Sequence, residues 1–488
     1  MLNTQLRPPI ADRYDVVIVG AGLAGCALAQ ALAEADQRRH RSILVVDLHR
    51  GVSPRFSGEF IHPRGAQILD DLGFYTRLVA AGAVDVDGFV VSQSTEQDAP
   101  VVLDYAAIPG ERPRGLSVHH KTLVRVMRQT LRDREGDGPG PRQVTLLEGW
   151  RVVDLLRDED RTCGVVLTGR EGELRVRCDL VVAADGKAST VRKLADVPDR
   201  RQSLGFMAGL EVSGAKLRHP LHANVILGGP GPILCYPIAR QDGELSFRLT
   251  FDLPHALPAK GADLSGYLTD AFVPYLPGPL AESVGDALQR HQGPLELAPT
   301  FNLPAPPATA PGLALVGDAA GCSHPITASG MTMGLLDAKY LAREARRRAD
   351  VDPGQPWLDD ASLRRYRLEH DRYVPTRQAL ADSIFEAFRG EGEGARGIRR
   401  ALFRYWRSGE RQRVRSLALL ACAERRPRIF LTEYLKTAHH VLASSFAPQH
   451  ALYFPVSDRL RQVQGAVGLA GTKVGVVAQV AWSQLRPF

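Results

Sequence analysis

The sequence predicts an α/β protein that combines a parallel-sheet domain, an antiparallel sheet and a helical C-terminal region. Three observations support this prediction: a glycine-rich turn between an apolar run and an alanine-rich segment, two later apolar runs that each reach an aspartate beside a glycine, and β-branched and apolar alternation over residues 200–298. With 488 residues and 44% apolar content, the chain is long enough for two or three domains with cores of their own.

The glycine-rich turn is typical of a Rossmann-type dinucleotide site. Residues 14–19 predict a buried parallel strand and residues 24–35 a helix, and Gly20, Gly22 and Gly25 between and within them have G-x-G-x-x-G spacing. The first glycine permits a tight turn, the second lets a pyrophosphate approach the backbone, and the third lets helix and strand pack closely. A second predicted strand ends at Asp47, where an acid suits a ribose hydroxyl.

Two later segments repeat the pattern of a strand that delivers an aspartate beside a glycine. Residues 180–184 run into Asp185 and Gly186, and residues 313–316 run into Gly317 and Asp318. A predicted helix begins near Gly330 after the second of these segments. Ligands of open α/β sheets bind at the carboxyl ends of the strands, so these residues are candidates for one common site.

In this order and spacing the three motifs resemble the flavoprotein monooxygenases of the para-hydroxybenzoate hydroxylase fold. The resemblance implies a Rossmann-type FAD-binding domain (GR2/PHBH-like) with an antiparallel-sheet substrate domain, with FAD as cofactor and NAD(P)H as electron donor. It implies that the glycine triplet and Asp47 hold the ADP half of FAD. It further implies that Asp185 and Gly186 contact the pyrophosphate region, that Asp318 binds the ribityl chain, and that the helix near Gly330 points at the flavin.

Two segments narrow the resemblance to the squalene monooxygenase (squalene epoxidase) branch, which carries R-x-x-G-E-x-x-x-P and G-D-A…H-P-[L/I]-T-x-x-G-M. The matching residues are Arg55, Gly58, Glu59, Pro63, Gly317, Asp318, Ala319, His324, Pro325, Thr327, Gly330 and Met331. By this resemblance Arg55 reaches the FAD phosphates and Glu59 positions the cofactor. His62 has no match in the pattern, so it is a pocket candidate specific to this chain rather than part of a catalytic triad.

The sequence leaves two roles open. The family places an arginine near the start of a helix for the FAD phosphates, and here Lys121, Arg125 or Arg55 alone are the candidates, while His119 and His120 are expected at the surface. Tyr236 is either a pocket residue or a sheet-packing tyrosine. No side-chain nucleophile is needed, because the flavin would carry the chemistry.

We expect the following division of the chain: 1–80, 116–200 and 299–350 for the FAD-binding domain, 81–115 as an insertion of the substrate domain, 201–298 as its sheet, and 351–488 as a helical C-terminal region. In that last region, arginines alternate with apolar residues over residues 396–415. This pattern suits either an anionic membrane surface or a solvated helical cap. The glycine-punctuated apolar end at 463–485 suits monotopic insertion.

The implied function is an FAD-dependent, NAD(P)H-linked monooxygenase. It would insert one oxygen atom of O2, through a flavin C4a-hydroperoxide, into a lipophilic, prenylated or isoprenoid substrate. The alternatives are a flavin-dependent geranylgeranyl-type prenyl reductase and an aromatic-ring hydroxylase, and a separate reductase is a candidate partner. Nothing but charge suggests nucleic acid. The six cysteines lack metal-site spacing, and we expect a cytoplasmic protein, peripheral to the membrane through its C-terminal region.

Overall fold

The computed structural model describes residues 10–52, 58–93, 99–135, 143–241, 243–257, 263–291, 295–389, 393–426, 428–433 and 436. The strands are β1 Arg13–Val19, β2 Ile43–Asp47, β3 Phe60–Ile61, β4 Val84–Val86, β5 Gly88–Gln93, β6 Val101–Asp104, β7 Gly115–Ser117, β8 Val144–Glu148, β9 Arg151–Asp158, β10 Arg161–Gly169, β11 Gly172–Ala183, β12 Gln202–Ser213, β13 His222–Leu227, β14 Ile233–Gln241, β15 Glu244–Leu253, β16 Glu296–Asn302, β17 Thr309–Ala310 and β18 Leu313–Leu315. The helices are α1 Leu23–Ala35, α2 Pro63–Asp71, α3 Tyr75–Ala80, α4 His120–Glu135, α5 Thr190–Leu194, α6 Asp263–Ala271, α7 Gly278–Arg290, α8 Gly330–Arg346, α9 Asp360–Arg389, α10 Glu393–Arg407 and α11 Glu410–Leu420.

The first sheet has the strand order β17-β18-β11-β1-β2-β8, and β18, β11, β1, β2 and β8 run parallel to one another. Its central strands are apolar on both faces because both faces are covered. Val16 and Ile18 pack with α1 and α8 on one side, and Val17 and Val19 pack with the β9–β10 hairpin side on the other. The predicted Rossmann-type layer is therefore confirmed, with β1 and α1 flanking the glycine-rich turn.

The second sheet has the order β16-β12-β15-β14-β13-β5-β6 and joins strands from two separate parts of the chain. Its described pairs are antiparallel apart from β5 and β13, which run parallel. The prediction of strands throughout 200–298 is wrong over 263–290, which forms α6 and α7. There the buried residues Leu264 and Leu268, and Leu280, Val284 and Leu288, recur at helical spacing and cover one face of the sheet.

The opposite face of the second sheet, at its β14–β13–β5–β6 end, packs against the C-terminal helices. We call this contact the apolar layer. Its large members are Phe60, Phe89, Tyr105, Tyr236, Ile326, Phe388, Phe403 and Trp406. The layer joins the substrate-side sheet to α9, α10 and α11, and to the loop before α8.

None of the described helices is long and apolar enough to cross a bilayer. The apolar C-terminal end, residues 463–485, lies outside the described residues, so its predicted membrane insertion stays a prediction.

Candidate active site

The glycine-rich turn is built by sterics. Gly20 has a φ of +108°, and a Cβ there would lie 2.4 Å from the Ala184 carbonyl oxygen. A Cβ on Gly25 would lie 1.9 Å from the Gly20 carbonyl oxygen. Gly22, by contrast, has open space where its Cβ would be, and it is the N-cap residue of α1. Gly20 and Gly25 thus permit the close packing of strands and helix, while Gly22 leaves room for a ligand at the helix N-terminus.

Asp47 ties this turn to the second strand. Its carboxylate accepts hydrogen bonds from the Ala21 backbone N–H at 2.8 Å and from the His49 N–H at 2.9 Å. The guanidinium of Arg128, on α4, lies 2.9 Å from the same carboxylate and donates to the Ala21 carbonyl at 2.8 Å. Arg128 is also paired with Glu148 at 2.7 Å.

Arg128 is the buried cation of α4 that the sequence analysis missed. Lys121 and Arg125, the residues proposed for that role, are exposed, and in the described part of the chain neither lines the cavity that Arg128 lines. A signal was present in the sequence: Arg128 continues the buried stripe of Leu123, Val124 and Met127. An arginine on the core-facing side of an amphipathic helix needs a buried partner.

Asp185 and Gly186 form the second strand end. One carboxylate oxygen of Asp185 accepts from the backbone N–H groups of Thr190 at 2.7 Å and Val191 at 3.1 Å, and so caps α5. The other oxygen is buried and has no hydrogen-bond partner among the described residues, and burial raises the pKa of this carboxyl. Gly186 has a φ of +80° and open space beyond its Cα. One oxygen of Asp185 is therefore hydrogen-bonded within the protein, and the residue next to it, Gly186, borders open space.

The third strand end carries Gly317 and Asp318 in a tight turn that packs between α1 and α8. Gly317 has a φ of +61°, and a Cβ there would lie 3.0 Å from the Ala24 Cβ. The Asp318 side chain is exposed, with Oδ1 at 3.8 Å from the position a Gly330 Cβ would take. The predicted helix starts at Gly330 as α8, and its first turn is thus placed beside Asp318. Pro325 opens a short 3₁₀ turn, Pro325–Thr327, and is exposed.

A single cavity of about 580 Å³, here called the cofactor cavity, gathers these three strand ends. Its wall includes Gly20, Gly22, Asp47, Gly58, Arg128, Asp185, Gly186, Gly317, Asp318, Gly330 and Met331. Glycines without obstruction, acids at strand ends and the N-termini of α1 and α8 are what a pyrophosphate, a ribose and an isoalloxazine carbonyl require. The residues present therefore fit FAD. Arg55, predicted at the phosphates, lies outside the described residues.

Glu59 contacts the second sheet, and its predicted role in positioning the cofactor stays a prediction. Its carboxylate accepts from the Tyr236 hydroxyl at 3.1 Å and from two nitrogens of Arg248, Nε at 3.0 Å and Nη2 at 3.1 Å. Arg248 is also paired with Glu296 at 3.0 Å. Glu59 is buried and does not line the cofactor cavity in the described part of the chain. It joins the segment that carries Gly58, which does line that cavity, to β14 and β15 of the second sheet.

His62 is fully buried and bridges the same two halves of the molecule. Its Nε2 lies 2.9 Å from the Thr327 carbonyl, which only accepts, so Nε2 carries the proton and Nδ1 accepts from the Tyr105 hydroxyl at 2.6 Å. Burial lowers the pKa of His62 to about 4, against the raising effect of the Thr327 carbonyl and with a smaller contribution from the Arg377 charge. His62 is thus neutral near pH 7.

The two pocket candidates, His62 and Tyr236, line none of the described cavities. Both belong instead to the packed seam between cofactor side and substrate side, where Phe60 makes edge contacts with each ring. Their predicted contact with substrate stays a prediction.

Comparison with known proteins supports both the FAD-binding region and the squalene epoxidase-like pattern of the chain. A family model described as squalene epoxidase matches residues 177–457, more than half of the chain, and one described as an FAD binding domain matches residues 13–223. Squalene epoxidase erg1 of Aspergillus fumigatus is 29% identical over 407 residues, which are 82% of this chain and 80% of the relative. Squalene monooxygenase of Mus musculus is 25% identical over 434 residues, 87% of this chain and 70% of the relative.

Solved structures share the fold at lower identity. The p-nitrophenol 4-monooxygenase PnpA of Pseudomonas putida has a TM-score of 0.65 at 19% identity, covering 88% of this chain and 99% of its own. The flavin-dependent brominase Bmp2 has a TM-score of 0.64 at 20% identity, with the same shares covered. These structures confirm the predicted para-hydroxybenzoate hydroxylase-like architecture.

Proposed function

Because the chain belongs to the squalene epoxidase family, we propose that it is an FAD-dependent monooxygenase that epoxidises a carbon–carbon double bond of a lipophilic isoprenoid. The observation that carries the proposal is the continuity between the apolar layer and the cofactor cavity. Ile326 and Ala328 belong to the apolar layer, while Gly330 and Met331, a few residues further on, line the cofactor cavity. An apolar substrate that displaced part of this packing would reach the end of the cofactor cavity that Gly330 and Met331 line.

The residues of the cofactor cavity would hold FAD as the resemblance implies. Gly22 and the N-terminus of α1 would receive the pyrophosphate, Asp47 and Arg128 would fix the turn beneath it, and Asp318 would bind the ribityl chain. When bound, FAD supplies the redox chemistry by taking electrons from NAD(P)H and activating O2 for transfer of one oxygen atom. The N-terminus of α8 presents its positive end to whatever negative charge develops there.

The protein's own contribution is to position the groups and to exclude water. The buried ion pair of Glu59 and Arg248 closes the seam between cofactor side and substrate side. His62 closes it a second time through its hydrogen bonds to Tyr105 and Thr327. Since His62 is neutral and both of its ring nitrogens are engaged, it serves to hold the seam and is not a proton donor in the reaction. A dry site protects a reactive oxygen intermediate from water.

The test uses purified holoprotein with NAD(P)H, with squalene as the first probe, followed by other linear isoprenoids and prenylated rings. The proposal expects oxygen-dependent NAD(P)H consumption and a product one oxygen atom heavier than the substrate, with the epoxide seen by NMR. A product that gains two hydrogen atoms per double bond without O2 would identify a prenyl reductase. A phenolic product from a ring substrate would identify an aromatic-ring hydroxylase.

The cofactor assignment has its own test at Asp318. An Asp318→Ala variant is expected to purify with at least tenfold less flavin, as expected for loss of a charged hydrogen bond. Asp160→Ala, an exposed aspartate in the β9–β10 turn, is the control and is expected to keep its flavin. Retention of flavin and reactivity by Asp318→Ala would refute the assignment.

We further propose that α10 is the surface that meets the membrane. Arg396, Arg400, Arg404 and Arg407 are exposed at helical spacing, while Phe403 and Trp406 on the other side of the helix are buried in the apolar layer. A cationic helix face directly over the apolar layer suits an anionic bilayer from which a lipophilic substrate enters.

Sedimentation with phosphatidylserine-containing vesicles tests the membrane surface. The double charge reversal Arg400→Glu/Arg404→Glu should abolish binding, whereas Arg170→Glu/Arg200→Glu, at exposed positions outside α10, should leave it intact. Equal loss in both variants would point to net charge rather than to α10.

Whether electrons arrive directly from NAD(P)H or through a separate reductase is decided by comparing turnover with and without an added NADPH-dependent flavoprotein reductase.

A further inference from the structure

The Gly317–Ala319 turn, which carries Asp318, is anchored by a hydrogen bond to a buried carboxylate. Asp337, on α8, accepts the Gly317 backbone N–H on Oδ2 at 2.8 Å. Its Oδ1 accepts from His370 Nδ1 at 2.9 Å and from the Tyr373 hydroxyl. Both of those donors are on α9, so a helix of the C-terminal region fixes one wall of the cofactor cavity.

The cluster is sealed from water. Asp337 is 2% exposed and His370 and Tyr373 are each 1% exposed. A buried carboxylate is stable only when its oxygens receive donors or a counter-charge. The Asp337 carboxylate can only accept, so Nδ1 of His370 donates the hydrogen bond between them. A neutral His370 must therefore keep its proton on Nδ1, which leaves Nε2 as an acceptor without a proton.

That bare Nε2 is unfavourably placed. It is buried and makes no hydrogen bond in the described part of the chain, and the Ala320 carbonyl, at the end of the same turn, is near enough to act on it. Two acceptors side by side repel, whereas a proton on Nε2 would turn the contact into a second attachment of His370 to the turn. Burial lowers the pKa of His370, but the charge and hydrogen bond of Asp337, together with Asp371 and the Ala320 carbonyl, outweigh burial and raise the pKa above its usual value.

The other titratable groups around His370 are tyrosines that stay protonated at neutral pH. Tyr366 donates to the Leu315 carbonyl at 2.6 Å, on the strand that leads into the turn, and burial raises its pKa well above the usual value. Burial likewise raises the pKa of Tyr373 well above the usual value. Asp337 from α8 and Asp371 from α9 are the acids that act on the imidazole. Of these groups, His370 is the one whose usual pKa lies nearest neutrality, and its surroundings raise that pKa.

We propose that His370 is a positioning residue of the flavin site: through Asp337 and Ala320 it holds the Gly317–Ala319 turn, and its protonated form holds the turn, and with it the cofactor, more tightly than its neutral form. The proposal rests on the proposed function, since it assigns a consequence to FAD bound at that turn. Binding of FAD and protonation of His370 are then linked, and each favours the other.

The experiment measures FAD release from the holoprotein by the recovery of flavin fluorescence, over a series of pH values on both sides of neutrality. Wild-type protein should release FAD faster and bind it more weakly as pH rises through the pKa of His370. The change in the dissociation constant is about tenfold for each unit by which that pKa differs between the bound and free protein.

His370→Asn keeps a donor near the Nδ1 position but cannot titrate, and it should bind FAD with the weaker, pH-independent affinity. His222→Asn is the matched control: His222 also pairs with an aspartate, Asp104, at 2.7 Å, and it is not among the described residues that line the cofactor cavity, so this variant should keep the wild-type profile. Tyr373→Phe removes one donor from Asp337, so the wild-type step should move to higher pH.

The outcomes separate this inference from the proposed function. If the wild-type protein binds FAD with the same affinity at every pH, or if His370→Asn keeps the wild-type profile, the role of His370 is overturned while the flavin site stands. If the wild-type protein binds no FAD, the proposed function itself fails. A wild-type profile that does not change with pH overturns the role of His370 even if a variant does not fold.

Discussion

Two buried histidines hold two loops of the same site, and their surroundings shift their pKa values in opposite directions. His62 ties the Pro325–Thr327 turn to the second sheet through a carbonyl and a hydroxyl, and burial lowers its pKa to about 4. His370 ties the Gly317–Ala319 turn to α9 through the Asp337 carboxylate, which raises its pKa despite equal burial. Burial alone lowers the pKa of an imidazole, and a carboxylate in contact can reverse the direction of the shift.

Asp337→Asn is the substitution with the largest expected effect on the difference between the two histidines. The change turns one of the two acceptor oxygens into an NH2 donor, which then faces another donor from the turn or from α9, and it removes the charge that raises the pKa of His370. We expect a loss of about 4 kcal/mol in the free energy of unfolding, as for a buried ion pair with one partner removed. Urea denaturation measures it, and flavin content should fall in parallel. A loss below about 1 kcal/mol would show that the carboxylate does not anchor the turn.

A pH series sharpens the contrast through His62. Because its folded pKa of about 4 is below the usual 6.5, the unfolded chain binds the extra proton between these values, and folding is destabilised as pH falls through that window. The full effect is roughly 3 kcal/mol, from 1.36 kcal/mol per pKa unit. His62→Gln lacks this component, so the stability advantage of wild type over the variant should shrink from pH 7 to pH 4.

The mirror experiment uses His370→Asn in the same pH series. With a raised pKa, the stability that His370 contributes is present below pH 6.5 and is lost as pH rises through its folded pKa. The advantage of wild type over His370→Asn should therefore shrink toward alkaline pH. Parallel profiles for the two histidine variants would contradict the comparison.

A matched pair of tyrosine substitutions gives the smallest effects. Tyr373→Phe removes a donor to a charged carboxylate and should cost about 2 kcal/mol in unfolding free energy, whereas Tyr105→Phe removes a donor to a neutral imidazole and should cost about 1 kcal/mol. Chemical denaturation of both variants at pH 7 checks the order. An equal or reversed order would mean that the Asp337 charge does not govern its cluster.

The cofactor half was largely readable from the sequence, because its requirements are local. The glycines of the turn, the apolar strands on either side and the aspartates that follow them are fixed by chain geometry within a few residues. The prediction of strands is wrong over residues 263–290, because the short apolar repeats there have helical spacing. The sequence left Lys121, Arg125 and Arg55 open as the cation for the phosphates, and that assignment stays a prediction. The buried Arg128 further along α4 is the residue that contacts Ala21.

The local pattern of glycines, aspartates and apolar runs was enough to identify the family pattern and to predict which strand ends meet. Only the tertiary structure decided the partners: Arg128 with Ala21 across 107 residues, Glu59 with Arg248 across 189, and Asp337 with His370 across 33. The physical reason is that a turn or a strand is selected by the conformational limits of neighbouring residues. The charge state and role of a buried side chain are set instead by whatever the fold packs against it. His62 illustrates both points. The sequence showed that it lies within the R-x-x-G-E-x-x-x-P segment, but its neutrality follows from burial between Tyr105 and Thr327.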